Sequence, residues 1–181
     1  MAIRHLYEQY GAEGYYKEHG DAYENPHFAE IDALIRQNFD FIDTSAGVLD
    51  LAAGGGEVSS TLQHLGIQNI RGCDPFTDAL YRKQTGLECW NFSFEDIIRN
   101  GLPQDYYFSS VICSFAMHLC PEKQLYALCT QLFDRSPQLF IITPHKRPEL
   151  EKLSGIELVH EDFVLTPRGK QVRLKMYHRL Y

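Results

Sequence analysis

The 181-residue chain lacks several features that mark whole functional classes. No apolar run approaches the roughly 20 residues that a membrane span requires. The start, MAIRHLYEQYGAEG, carries no apolar core of a signal peptide, so a cytosolic setting is expected. The five cysteines, Cys73, Cys89, Cys113, Cys120 and Cys129, are odd in number and show no CxxC spacing. Neither a disulfide framework nor a zinc site is indicated, and no metal is expected. The thiols should be reduced and mainly buried. Positive charge is also scarce: the formal net charge is −7, which argues against a nucleic-acid binder with a broad basic face. Repeats and low-complexity linkers are missing as well.

What is present suits an ordinary folded chain. Apolar residues make up 44% and charged residues 23%, and the length can bury roughly two-thirds of the unfolded surface in one domain. Charge is uneven: residues 144–181 hold eight Lys or Arg against five Asp or Glu, and the first 143 hold nine against nineteen. A local basic edge near the C-terminus is one reading, and a solvated surface is the other. The N-terminal forty residues are rich in Tyr, Glu and His. From Pro26 onward Phe28, Ile31, Leu34, Ile35 and Phe39 keep helical spacing, with Asn25 as N-cap and Pro26 as first helical residue.

Apolar strands then alternate with helix-length segments. GVLDLA precedes EVSSTLQHLG, NIRGCD precedes PFTDALYRKQTG, and LECWNFS precedes FEDIIRNG. YYFSSVICSF, PEKQLYALCTQLFDR and PQLFIITP continue the series. This is the sequence form of a parallel sheet covered on both faces. After Pro144 the pattern changes to GIELVHEDFVL, TPRGK and QVRLKMYHRLY, two extended segments joined by a turn. The expected fold is α/β, a mostly parallel seven-stranded sheet with a C-terminal antiparallel hairpin, in one domain over 1–181.

Three glycines, Gly54–Gly56, fall in the first strand-to-helix turn, where ligands of open α/β sheets usually bind. A dinucleotide fingerprint needs a third glycine where Ser59 stands, and a P-loop needs a Lys that the turn lacks. The stretch VLDLAAGGG instead resembles motif I of the class I S-adenosylmethionine-dependent methyltransferases. Asp50 holds the acidic position, Gly54 and Gly56 the second and third glycines, and Ala52 replaces the first. In that family an acidic residue ending the second strand holds both ribose hydroxyls; Asp74, followed by Pro75, matches it. NFSFEDI matches the adenine region, making Ser93, Phe94 and Glu95 candidates, and YYFSSVICSF, with Ser114 at its end, matches motif IV.

The resemblance covers residues 46 to about 143 as a cofactor-binding core. It implies a Rossmann-like sheet of order 3-2-1-4-5-7-6, S-adenosylmethionine as cofactor, and an N-terminal helical lid over 1–44. Tyr10, Tyr15, Tyr16, Tyr23, His19 and His27 of that lid would shield a sulfonium. The alternative for these residues is a helix packing on the sheet. Methyl transfer needs alignment, plus a base where the nucleophile carries a proton. His118, just past the fourth strand, is the candidate base, with packing at a helix start as its alternative. Tyr15 and His27 complete the catalytic candidates. His145, beside Lys146 and Arg147, either touches an acidic substrate or belongs to a solvated loop. Residues 144–155 leave no room for a substrate domain, so a small-molecule acceptor and a monomer or homodimer are expected, and a nucleic acid is not. The rival is an RNA or protein methyltransferase that uses Lys170, Arg173, Lys175 and Arg179. A cofactor-binding protein without catalysis is the third reading.

Overall fold

In the computed structural model, which describes residues 25–180, the aliphatic stretch before the glycines forms β1, Val48–Leu51, buried at all four positions. Next come α2, Glu57–His64, β2, Ile70–Cys73, and α3, Asp78–Thr85. They are preceded by α1, Phe28–Gln37. The chain continues through β3, Cys89–Trp90, α4, Phe94–Asn100, and β4, Ser110–Ser114. After α5, Leu125–Phe133, and β5, Gln138–Thr143, the hairpin β6, Ile156–Leu165, and β7, Gln171–Arg179, closes the fold.

The sheet order is β3-β2-β1-β4-β5-β7-β6. Strands β1 to β5 are parallel, and β7 runs antiparallel to both of its neighbours. The expected order and hairpin are therefore present. Fully buried β1 and β4 fit a sheet covered on both faces, whereas edge strand β6 alternates in exposure with one face wet. One core packs Leu49, Leu51, Val111, Cys113 and Ile141 against α4 and α5. The other packs Val48, Ile112, Phe140 and Leu174 against α1 and α2. All five cysteines are free and buried. Among the described residues no helix is long and apolar enough to cross a membrane.

Three expectations shift. The helical pattern starts at Phe28 rather than Pro26: Asn25 Oδ1 accepts from the His27 N–H at 2.9 Å, closing a turn ahead of α1. Phe28 is exposed instead of buried, while Ile31, Leu34 and Ile35 are fully buried beneath α1. Within the described part of the expected lid, α1 packs on the sheet; Tyr10, Tyr15, Tyr16, Tyr23 and His19 lie outside the described residues. Finally, β4 begins at Ser110, not Tyr106, because the Ser109 and Ser110 hydroxyls each donate to Asp43 O at 2.7 Å and tie the entering chain aside.

Candidate functional site

The C-terminal ends of β1 and β2 face each other through one loop. Ala52 has φ +53°, Gly54 +57° and Gly56 +91°, so the chain reverses through left-handed backbone before α2 starts. At Gly56 even a strain-tolerant side chain would fail, since a Cβ would meet Thr85 Cγ2 at 2.5 Å and Tyr81 Cδ2 at 3.1 Å. The alanine that departs from the motif therefore holds a left-handed position, at a cost of about 1 kcal/mol.

Asp50 is fully buried beneath this loop. Its Oδ2 accepts from Ser59 N at 3.2 Å and Ser59 Oγ at 2.7 Å, anchoring the first turn of α2, and Ser59 Oγ lies 2.7 Å from Tyr81 OH. Its Oδ1 is buried with no hydrogen-bond partner. Burial pushes this carboxyl well above the usual range, and Glu57 and Asp74 add repulsion. Asp74 Oδ2 accepts from Gly54 N at 3.0 Å, and Oδ1 accepts from Phe76 N and Thr77 N at 2.9 and 3.1 Å. Thr77 Oγ1 donates to Gly54 O at 2.7 Å. Asp74 thus fastens the glycine loop to the start of α3, and one lone-pair direction on Oδ2 remains for a further donor. Burial raises its carboxyl too.

Sequence reading missed two residues here. Glu57, half-buried at the start of α2, has its carboxyl pushed up to about 7, first by burial and then by Asp74; its own N–H and those of Gly55 and Gly56 pull the other way. Three acidic residues within 25 positions, at two strand ends and a helix start, were the available signal. Tyr81, fully buried, is the post against which the loop rests: a Cβ on Gly72 would meet its ring at 2.6 Å. Among the described residues no Lys, Arg or His forms an ion pair with Asp50, Glu57 or Asp74. Nor do three His, Cys, Asp or Glu side chains among them converge to hold a metal ion.

The adenine-region residues are partly committed elsewhere. Ser93 caps α4 in a reciprocal box with Asp96, and exposed Glu95 pairs with Arg99 at 2.7 Å. Half-buried Phe94 packs on the core, and Pro75 opens the turn behind Asp74.

At the ends of β4 and β5 a second group assembles. Ser114 is buried, and Phe115 follows it at φ +56°. Phe115 and Ala52 are the two non-glycine residues with positive φ among the described residues, and they end adjacent strands. His27 stacks on Phe115, ring centroids 4.7 Å apart and 12° between planes. His118 sits exposed on the turn Met117–Leu119, its ring 4.5 Å from that of exposed His145. The structure thus gathers His27 and His118 at one rim.

The four basic candidates near the C-terminus do not form one surface: Lys170, in the turn before β7, and Arg173 lie at the mouth end of that strand. Lys175 is buried, and Arg173 approaches Glu161 at 3.9 Å on the mouth end of β7. Arg179 pairs with Asp134 at 2.8 Å at the opposite end.

No protein-family model matches the chain. Solved structures share its fold. Magnesium protoporphyrin IX methyltransferase from Synechocystis PCC 6803 with bound S-adenosylmethionine is similar at TM-score 0.68 and 13% identity, over 97% of this chain and 96% of that one. A putative RNA methyltransferase from Pyrococcus horikoshii is similar at TM-score 0.64 and 16% identity, over 88% and 87%. A glycopeptide N-methyltransferase crystallised with S-adenosylmethionine is similar at 0.63 and 14%, over 83% and 88%. The fold is that of the class I S-adenosylmethionine-dependent methyltransferases. Within it, the chain belongs to one family with an uncharacterized protein of Schizosaccharomyces pombe, 32% identical over 192 aligned residues that span 83% of this chain and 77% of the relative.

Proposed function

We propose that the protein is an S-adenosylmethionine-dependent methyltransferase acting on a small molecule. The observation that carries this reading is a glycine loop ringed by three buried or half-buried carboxylates with no cation of the described protein beside them. Such a cradle repels the pyrophosphate of a dinucleotide and favours a ligand bearing positive charge. The unpartnered Asp50 Oδ1 and the left-handed turn through Ala52, Gly54 and Gly56 fit a nucleoside joined to a cationic amino acid. S-adenosylmethionine has this chemistry, and when bound it supplies an electrophilic methyl group. Asp74 would hold its ribose through the free direction on Oδ2, and the loop Ala52–Gly56 its methionine part.

The chain's own contribution at the acceptor end lies with His118 and His145. His118 takes a proton from the acceptor at a ring nitrogen, and His27 with Phe115 walls the site. A small acceptor is supported by the segment between β5 and β6, which holds one short turn, Leu150–Lys152, and by two of the four C-terminal cations being committed elsewhere, Lys175 buried and Arg179 paired with Asp134.

The test is thermal unfolding with S-adenosylmethionine or its demethylated product. Either should raise Tm, because a ligand that binds only the native state stabilises it by mass action. Asp74→Asn, which keeps an acceptor oxygen, should remove most of the rise. No shift with either compound up to millimolar concentration defeats the proposal.

A further inference from the structure

The long free edge of the sheet is β6, which among the described residues pairs with β7 alone. Its two halves differ. The first is bent by a register shift between Leu158 and His160, a device that keeps an edge from pairing. The second, residues 161–165, keeps an unbroken register and carries Phe163 at 50% exposure and Leu165 at 58%. The backbone is open there as well. Thr166 N donates to Lys170 O at 2.8 Å, so the bonded pairs with β7 fall at every second residue counted back from Thr166, at Val164 and Asp162. The N–H and C=O groups of Glu161, Phe163 and Leu165 therefore point away from β7. In agreement, the Phe163 N–H is bonded outside the ladder, to Asp162 Oδ1 at 2.8 Å. The side chains of Glu161, Phe163 and Leu165 share one face and are all exposed, whereas Asp162 and Val164 turn to Asn38 and to the core under α1. Charge is laid out in opposite senses along the hairpin. Glu157 near the start of β6, and Arg168 and Lys170 in the turn beyond its end, are exposed and form no ion pair among the described residues.

We propose that this edge is where a second copy of the chain pairs, antiparallel, about a two-fold axis at Phe163. An axis perpendicular to the sheet preserves its faces, so Phe163 of one protomer stands opposite Phe163 of the other. Glu161 of each lies opposite Leu165 of its partner, and these outward residues exchange their free backbone bonds. The Phe163 N–H leaves Asp162 Oδ1, which returns to water, for the carbonyl of the facing Phe163. The antiparallel run sets the turn with Arg168 and Lys170 of each protomer alongside Glu157 of the other. The hairpin thus complements itself in apolar contact, backbone bonding and charge, which selects a second copy as the occupant. So short a paired segment buries little area, and the dimer is weak, with Kd on the order of 10–100 µM.

Sedimentation velocity of the full chain, at concentrations from about a tenth of that Kd to ten times it, should show reversible dimerisation. Phe163→Lys, a change at an exposed position with Tm unaltered, should weaken it at least tenfold. Arg168→Glu with Lys170→Glu should weaken it several-fold, and adding Glu157→Lys should restore it. Cross-linking reads the axis directly. The native cysteines are all buried, so in Phe163→Cys a short bis-maleimide should join two copies through the one exposed thiol, while Glu157→Cys, far from its own copy, should stay single. A chain that remains monomeric throughout, which would leave the edge to a strand of another protein, overturns the inference. So does a dimer that persists in Phe163→Lys or cross-links equally through Glu157→Cys.

Discussion

Gly72→Ala isolates the role of Tyr81 from that of the glycine loop itself. Gly72 lies inside β2 with no left-handed φ, so alanine suits its backbone, and the loss of glycine's unfolded-state freedom alone would stabilise by about 0.5–1 kcal/mol. Space decides otherwise. The new methyl would stand 2.6, 2.7 and 2.8 Å from three atoms of the Tyr81 ring. That ring is fully buried, and its hydroxyl is held 2.7 Å from Ser59 Oγ, so it has no free direction in which to swing. Overpacking of this kind costs about 1–3 kcal/mol, and displacement of the hydroxyl from Ser59 about 1 more. After the backbone gain, a net loss of about 2–3 kcal/mol remains, or roughly 5–10 °C in Tm for a chain of this length. Circular dichroism melting of the purified variant measures it. Gly66→Ala is the control: φ is +91° there but nothing stands within 4 Å of a Cβ, so only about 1 kcal/mol of strain is expected. Adding Tyr81→Leu should rescue part of the Gly72→Ala loss. A Gly72→Ala protein that melts within a degree of wild type would refute the account of Tyr81 as the post behind the loop.

Other outcomes follow from the same groups. Without ligand, the raised carboxyl of Glu57, with Asp50 and Asp74 in the same direction, binds a proton more tightly in the folded than in the unfolded chain. That stability is present at low pH and lost as pH rises through about 7, by at most on the order of 3 kcal/mol for Glu57. Asp43, Asp96 and Glu149, held low by local hydrogen bonds, lose theirs only as pH falls below the usual carboxylate range. Tm should therefore peak near pH 5 and fall toward pH 8; a Tm rising from pH 5.5 to 8 contradicts it. His118→Ala should lower kcat by about 10²–10⁴-fold with an acceptor found by screening for thioether formation, while the donor Kd stays within twofold. The reverse pattern would assign His118 to cofactor binding.

Much of the fold is legible in the chain because burial writes itself as period. The runs VLDL and SVICS, each with three apolar residues, announce central parallel strands, and the alternation of IELVHEDFVL announces an edge. The glycine loop and Asp74 were legible for a different reason, since each depends on a residue type few others can replace. What stayed hidden depends on pairs. Nothing in DALYRKQT marks Tyr81 as the filler of a space left by Gly72, a strand away. His118 and His145 are 27 positions apart and meet only because β4 and β5 are neighbours. Glu95, an adenine candidate by position, also pairs with its i,i+4 neighbour Arg99, a contact that only the helix brings about.

The two left-handed non-glycine residues put tension where the fold can hold it. After Ala52, the Ala53 N–H is bonded to Cys73 O at 3.1 Å; the Phe115 N–H is bonded to Ile142 O at 2.8 Å. Each bend is clasped to the strand next door, so the rim of the sheet behaves as a pair of set springs between stiff rods. Ala52→Gly would slacken one of them. A protein so relaxed would gain stability while its cradle lost a fixed shape, and the difference between the two is a measure of what the native chain commits to holding that mouth open.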